Sequence, residues 1–138
     1  MIAIDTGFLY ALVDRSDAWH ERARALVPSA SEGWITTWPV LTEVTHLMLR
    51  WLGPEFACAL MDDVAGGGLM VWELPEKQLA RIPALMRRYA ALPMDLADAS
   101  LLLLAEHLEH GRILSTDQRD FSTYRWKSRR PFENLLDA

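Results

Sequence analysis

The chain has a single cysteine, Cys58, among its 138 residues. That excludes an internal disulfide framework and any zinc site built on paired thiolates. Long apolar runs are missing too: the densest, Ala99 to Ala105, falls far short of the ~20 residues a membrane helix needs. No secretory leader can be read at the N-terminus, because Asp5 interrupts what would be its apolar core. Repeats, low-complexity tracts and polar linkers are absent. Basic character is also lacking, since the net charge is −5, whereas proteins that coat nucleic acid are normally basic. Together these absences predict a cytoplasmic protein with no membrane partner, folded as one domain over residues 1–138. A hydrophobic content of 51% is enough for its core.

Charge is segregated along the chain. Arg119, Arg125, Lys127, Arg129 and Arg130 oppose only Asp120 between residues 119 and 130, a local excess of +4 that leaves −9 for the rest. Short β-like runs alternate with helical patterns, which predicts an α/β fold with a parallel sheet. The strand candidates are 1–4, 33–37, 69–74, 112–115 and a short edge strand at 131–133. Helices are expected at 8–13, from a cap at Ser16 or Asp17 through Val27, from Pro39 to Trp51, at 55–64, within 76–90 after a kink or late start at Pro83, and from Asp95 towards Gly111. Trp51 joins Val44 and Met48 on the predicted buried face of its helix, and Leu96 joins Ala99, Leu102 and Leu103 on another.

Six acids stand at element ends or in apolar surroundings: Asp5, Glu43, Asp95, Asp98, Asp117 and Asp120. Asp5 and Asp117 each end a strand, and open α/β sheets bind ligands beyond the carboxyl ends of their strands. Like charges ~4 Å apart repel by roughly 1 to 4 kcal/mol per pair, so a cluster needs a cation or a proton. All-oxygen ligands favour Mg²⁺ or Mn²⁺. Each acid also has a structural reading. Asp5 and Asp95 suit helix caps, Asp98 complements a helix dipole, and Asp120 suits a turn before Phe121. Glu43, at the offset of an apolar face, is the acid hardest to explain without a partner.

The blocks Ile4-Asp5-Thr6-Gly7-Phe8-Leu9, Thr42-Glu43-Val44, Leu96-Ala97-Asp98-Ala99 and Leu114-Ser115-Thr116-Asp117, with Asp120-Phe121, occur in an order that resembles a PIN-domain ribonuclease. Within that superfamily the chain is most similar to the VapC-type toxins of prokaryotic toxin–antitoxin pairs. The resemblance implies a three-layer α/β/α fold with a central parallel sheet of order 3-2-1-4-5. It implies Asp5, Glu43, Asp98 and Asp117 as the metal-site acids, and an RNA substrate. A small antitoxin and a homodimer are implied as partners, with segments 39–64 as candidate surfaces. Asp95 and Asp120 have no counterpart in that core. Carboxylate-bound metal supplies what phosphodiester hydrolysis requires without a nucleophilic side chain. Thr6 and Ser115 are candidate hydrogen-bond partners for ligands or phosphate, and Arg119, Arg129 and Arg130 for the RNA backbone.

Other constellations fail. Glu43-Val44-Thr45-His46 matches half of a di-iron motif whose second half is missing. His107 and His110 share a face but have no third ligand, and Gly66-Gly67-Gly68 precedes a strand rather than following one. Trp38 and Trp126 are the candidate aromatic contacts to RNA. Two rivals remain: a receiver-like Mg²⁺-binding signalling domain, whose acceptor aspartate is missing after the third strand, and a PIN-fold module that binds without cutting.

Overall fold

The short β-like runs at 1–4, 33–37, 69–74 and 112–115 become parallel strands, and helices fill most of the chain between them. In the computed structural model, which describes residues 1–27 and 31–137, the elements follow in chain order. They are β1 (Ile2–Ile4), α1 (Thr6–Val13), α2 (His20–Leu26), β2 (Trp34–Thr37), α3 (Trp38–Trp51), α4 (Pro54–Ala65) and β3 (Met70–Trp72). After these come α5 (Arg81–Arg88), α6 (Leu96–Leu108), β4 (Arg112–Leu114), α7 (Gln118–Thr123), β5 (Arg125–Trp126), β6 (Arg130–Pro131) and β7 (Glu133–Asn134).

The main sheet has the order β3-β2-β1-β4-β7, with every pairing parallel. This is the expected 3-2-1-4-5 arrangement; its fifth member, β7, begins only at Glu133, because Pro131 of the expected 131–133 edge strand belongs with Arg130 to β6, which pairs with β5 instead. A receiver-like domain would run 2-1-3-4-5, so the order excludes that rival. Helices cover both faces. α1 packs on α2 and α3, α3 on α4, and α6 lies against β1 and β2 while also packing on α5 and α3. Among the described residues, no helix is long and apolar enough to cross a membrane.

Helix α6 explains its own composition. Ala97 through Ala105 are all buried, since the helix is enclosed by the sheet, α3, α5 and β5. A helix buried on every side has no polar face to display. Pro83 falls in the first turn of α5, where its missing N–H is harmless, so that helix starts late rather than kinking.

Several side chains depart from expectation. Trp51 is 64% exposed: it closes α3, no element covers it, and Arg50 lies over its ring at 5.0 Å. Leu96 is 49% exposed because it opens α6 before the helix enters the core. Val27, past the end of α2, also faces water. Trp126 is buried and donates from Nε1 to the Pro131 carbonyl, which removes it as an RNA contact. Asp120, read as a turn residue before Phe121, lies inside helix α7, which Asp117 caps.

Candidate active site

The parallel register places the site. Ala3 and Ile4 of β1 pair with Ile113 and Leu114 of β4, so the next residues, Asp5 and Ser115, emerge side by side at the carboxyl edge. The Asp5 amide donates to the Leu114 carbonyl, which carries the ladder one residue further. Both Asp5 oxygens are held: Oδ1 accepts from the Thr6 amide at 2.7 Å, and Oδ2 accepts from Ser115 Oγ at 2.7 Å. Asp5 is therefore at once the cap of α1 and a fixed carboxylate at the strand edge.

Asp98 approaches from α6. Asp95 is the cap of that helix, its Oδ1 accepting from the Asp98 amide at 2.8 Å, so the Asp98 side chain is not spent on capping. Its Oδ2 accepts instead from the Tyr124 hydroxyl at 3.0 Å. Burial pushes the Asp98 carboxyl up to about 8, with Asp95 and Asp5 adding to the rise. Burial likewise pushes Asp5 up to about 6; Ser115 and the Thr6 amide oppose that, while Glu43 and Asp117 reinforce it. Burial also raises Tyr124, whose phenol faces Asp98.

Asp117 and Asp120 form the third corner. Asp117 Oδ1 accepts from the Asp120 amide at 3.1 Å, and the Asp117 amide donates to Ser115 Oγ at 3.0 Å. Asp120 is not a surface turn residue. It is only 8% exposed, its Oδ1 accepts no hydrogen bond among the described residues, and burial with neighbouring Asp117 raises its pKa. Arg119 Nε stands 3.6 Å from that oxygen, on a side chain 80% exposed.

Glu43 corrects its sequence reading, because it is exposed rather than buried. It lines a groove with Trp38, Thr42 and His46 of α3 and with Asp95 and Leu96 at the start of α6. Ser115 is fully engaged between Asp5 and the Asp117 amide, which makes it a positioning residue and not a free phosphate ligand. Thr6 Oγ1 is buried with no partner among the described residues. Tyr124 was missed in the sequence, since no local signal ties it to an aspartate 26 residues away.

The basic segment is partly structural. Arg125 Nη1 donates to the carbonyls of Ser122, Thr123 and Tyr124, capping α7. The β5–β6 hairpin turns through Lys127 and Ser128, both at positive φ, and the Lys127 amide donates to Glu106. Glu106 lies eight residues past Asp98, about 12 Å along α6. The turn carrying Arg129 thus sits well away from the acids, and Arg119 is the basic side chain beside them.

The donor set suits a hard cation. The largest influences on Asp5 and Asp98 are burial, other acids, hydroxyls and amides, with no cationic side chain among them. Two buried carboxylates without a counter-charge are what an oxygen-seeking divalent ion neutralises. Among the described residues, no three His, Cys, Asp or Glu side chains are gathered into a ready-made cage.

The profile of the PIN domain matches residues 2–127. The chain belongs to the PIN-domain family. Ribonuclease VapC26 of Mycobacterium tuberculosis is 28% identical to this PIN domain over 125 residues, covering 88% of this chain and 90% of that protein. The crystal structure of VapC20 from the same organism, described as a sarcin–ricin loop cleaving toxin, superposes with a TM-score of 0.79 at 21% identity. That match covers 86% of this chain and 92% of the other, and supports the shared fold. The expected VapC-type resemblance therefore extends over nearly the whole PIN domain.

Proposed function

We propose that this PIN domain is a divalent-metal-dependent endoribonuclease acting as the toxin of a type II toxin–antitoxin pair. The observation that carries the reading is the buried pair Asp5 and Asp98 at the carboxyl edge of the sheet, both raised by burial and by neighbouring acids, with no cationic side chain among the largest influences on either. Asp5 and Asp98 would hold Mg²⁺ or Mn²⁺, and Glu43 and Asp117 would complete the site. When bound, the ion would neutralise charge on the scissile phosphate and lower the pKa of the attacking water.

The residues of this chain supply the rest. Ser115 and the Thr6 amide hold the Asp5 carboxylate in one orientation, and Tyr124 does the same for Asp98. Glu43, exposed at the rim, is free to turn towards an attacking water and take its proton. Thr6 Oγ1 can donate to a phosphate oxygen. Arg119 meets the RNA backbone at the centre, with Arg129 and Arg130 contacting it further along. For the antitoxin and a second copy, the α3–α4 region is the proposed surface. Leu49 and Trp51 are exposed there, and an apolar groove of about 400 Å³ opens among Leu9, Val13, Met48, Phe56 and Leu60.

Incubation with a pool of structured RNAs tests the reading: cleavage should appear with Mg²⁺ or Mn²⁺ and vanish in excess chelator. Cutting that persists in chelator would refute the metal. Tyr124→Phe checks the support of Asp98. Losing an outer partner of a metal ligand typically weakens ion binding about 10- to 100-fold. The melting-temperature rise produced by Mn²⁺ should shrink accordingly. An undiminished rise would reduce Tyr124 to a space-filling role.

A further inference from the structure

Five of the six tryptophans have an aromatic or cationic partner. Phe8 stands edge-on to Trp34, His107 stacks on Trp72, Arg22 and Arg50 lie over Trp19 and Trp51, and Arg130 covers Trp126. Among the described residues, Trp38 has neither a ring nor a cation against it, and it is 46% exposed. It opens α3 directly after the carboxyl end of β2, and it faces the same groove as Leu96, which is 49% exposed at the first position of α6. Large apolar side chains left in water beside a functional centre mark a binding surface more than isolated ones elsewhere do.

The groove between these helix starts measures about 540 Å³, inside the range of about 300–1,000 Å³ for small-molecule sites. Trp38 and Leu96 give its lining apolar surface, Thr42 and His46 give it polar groups, and Glu43 and Asp95 give it acids. It runs into the acidic centre: Ala97, the neighbour of Asp98, lines it, and Glu43 acts electrostatically on Asp5. No lysine or arginine is among its lining residues. Its acids repel a phosphate, so the occupant that fits is a neutral, planar group with polar edges. We infer that this groove is a subsite for an unpaired nucleobase flanking the scissile phosphate, with Trp38 as the stacking platform. The inference rests on the ribonuclease reading above. Thr42 and His46 are the lining side chains that a base edge would meet, and they set which bases are preferred there.

The test uses a short fluorescein-labelled single-stranded RNA of mixed sequence, in chelator so that binding is read without turnover. Trp38→Ala should weaken binding about tenfold, within the range for losing one base–aromatic stack, and Trp38→Phe should recover most of it. The unmodified protein should lose a similar factor on an oligomer of abasic riboses, and on that oligomer Trp38→Ala should make no further difference. With Mn²⁺ and an RNA the protein cuts, Trp38→Ala should raise KM more than it lowers kcat. Equal binding and cutting by Trp38→Ala and the parent would overturn the subsite and leave the ribonuclease reading standing. A drop in oligomeric mass in Trp38→Ala, with unchanged RNA affinity, would overturn it in favour of a protein interface. A parent that cuts no RNA with either metal would remove both readings together.

Discussion

Asp98→Asn should abolish nearly all RNA cleavage while leaving the metal-free protein at least as stable as the parent. The usual outcome of altering a buried hydrogen-bonded group is destabilisation, so the opposite sign is diagnostic. Asparagine keeps an oxygen for the Tyr124 hydroxyl, and the Asp98 amide still donates to Asp95. What disappears is a carboxyl that ionises only at a cost, in a buried place beside Asp95 and Asp5. Because the Asp98 carboxyl stands at about 8 when folded, against about 3.9 for an ordinary aspartate in an unfolded chain, the native state binds the extra proton between those limits. Stability contributed by this group is therefore present at low pH and is lost as pH rises from about 4 to about 8. Denaturation in chelator should show the parent weakening across that window and Asp98→Asn weakening much less. Added Mn²⁺ should stabilise the parent and barely move the variant. A variant that is destabilised yet cuts RNA normally would return Asp98 to a helix-dipole role.

Gly7→Ala should damage both stability and activity, and Thr116→Ala in the same chain should restore much of each. A Cβ at Gly7 would lie 1.9 Å from Thr116 Oγ1 and 3.2 Å from Thr116 Cβ. The hydroxyl belongs to a short side chain that cannot withdraw as a long flexible one would. Overpacking of this kind typically costs about 1–3 kcal/mol. The consequence for activity is geometric. Gly7 is in the first turn of α1, two residues past Asp5, and Thr116 lies between Ser115 and Asp117, so the clash forces apart the two loops that present these acids. Misplacing a reacting group by about 1 Å can cost 100-fold in rate. Removing the Thr116 hydroxyl and methyl opens the space again. A Gly7→Ala protein that melts and cuts like the parent would mean the two loops give way freely.

Short β-branched and apolar runs punctuated by Gly, Pro and Asp made the alternating architecture readable, because strand and helix periods differ locally. Asp95 was readable as a cap for the same reason, since capping is decided within four residues. Asp120 and Glu43 were misjudged in opposite directions. Asp120, read as a turn acid, is buried by a short helix the pattern did not reveal. Glu43, read as a buried acid on an apolar face, sits where α3 turns its side towards the open groove. Apolar spacing predicts which face of a helix meets a neighbour, but not where along the helix that neighbour stops. Trp51 shows the same limit: its offset matches Val44 and Met48, yet Met48 is buried while the Trp51 ring at the end of α3 is left in water.

The sequence by itself determined the class of this protein: an α/β fold with strand-end aspartates in a PIN-like order, and candidate donors that all present oxygen. These depend on local periodicity and on residue chemistry, both of which are written along the chain. Only the tertiary structure decided what surrounds each acid. Ser115 beside Asp5, Tyr124 on Asp98, and the groove joining Trp38 to Leu96 bring together residues 110, 26 and 58 positions apart. Such contacts follow from parallel strand register and helix packing, which are settled by burying the whole core at once and leave no signature in any short window.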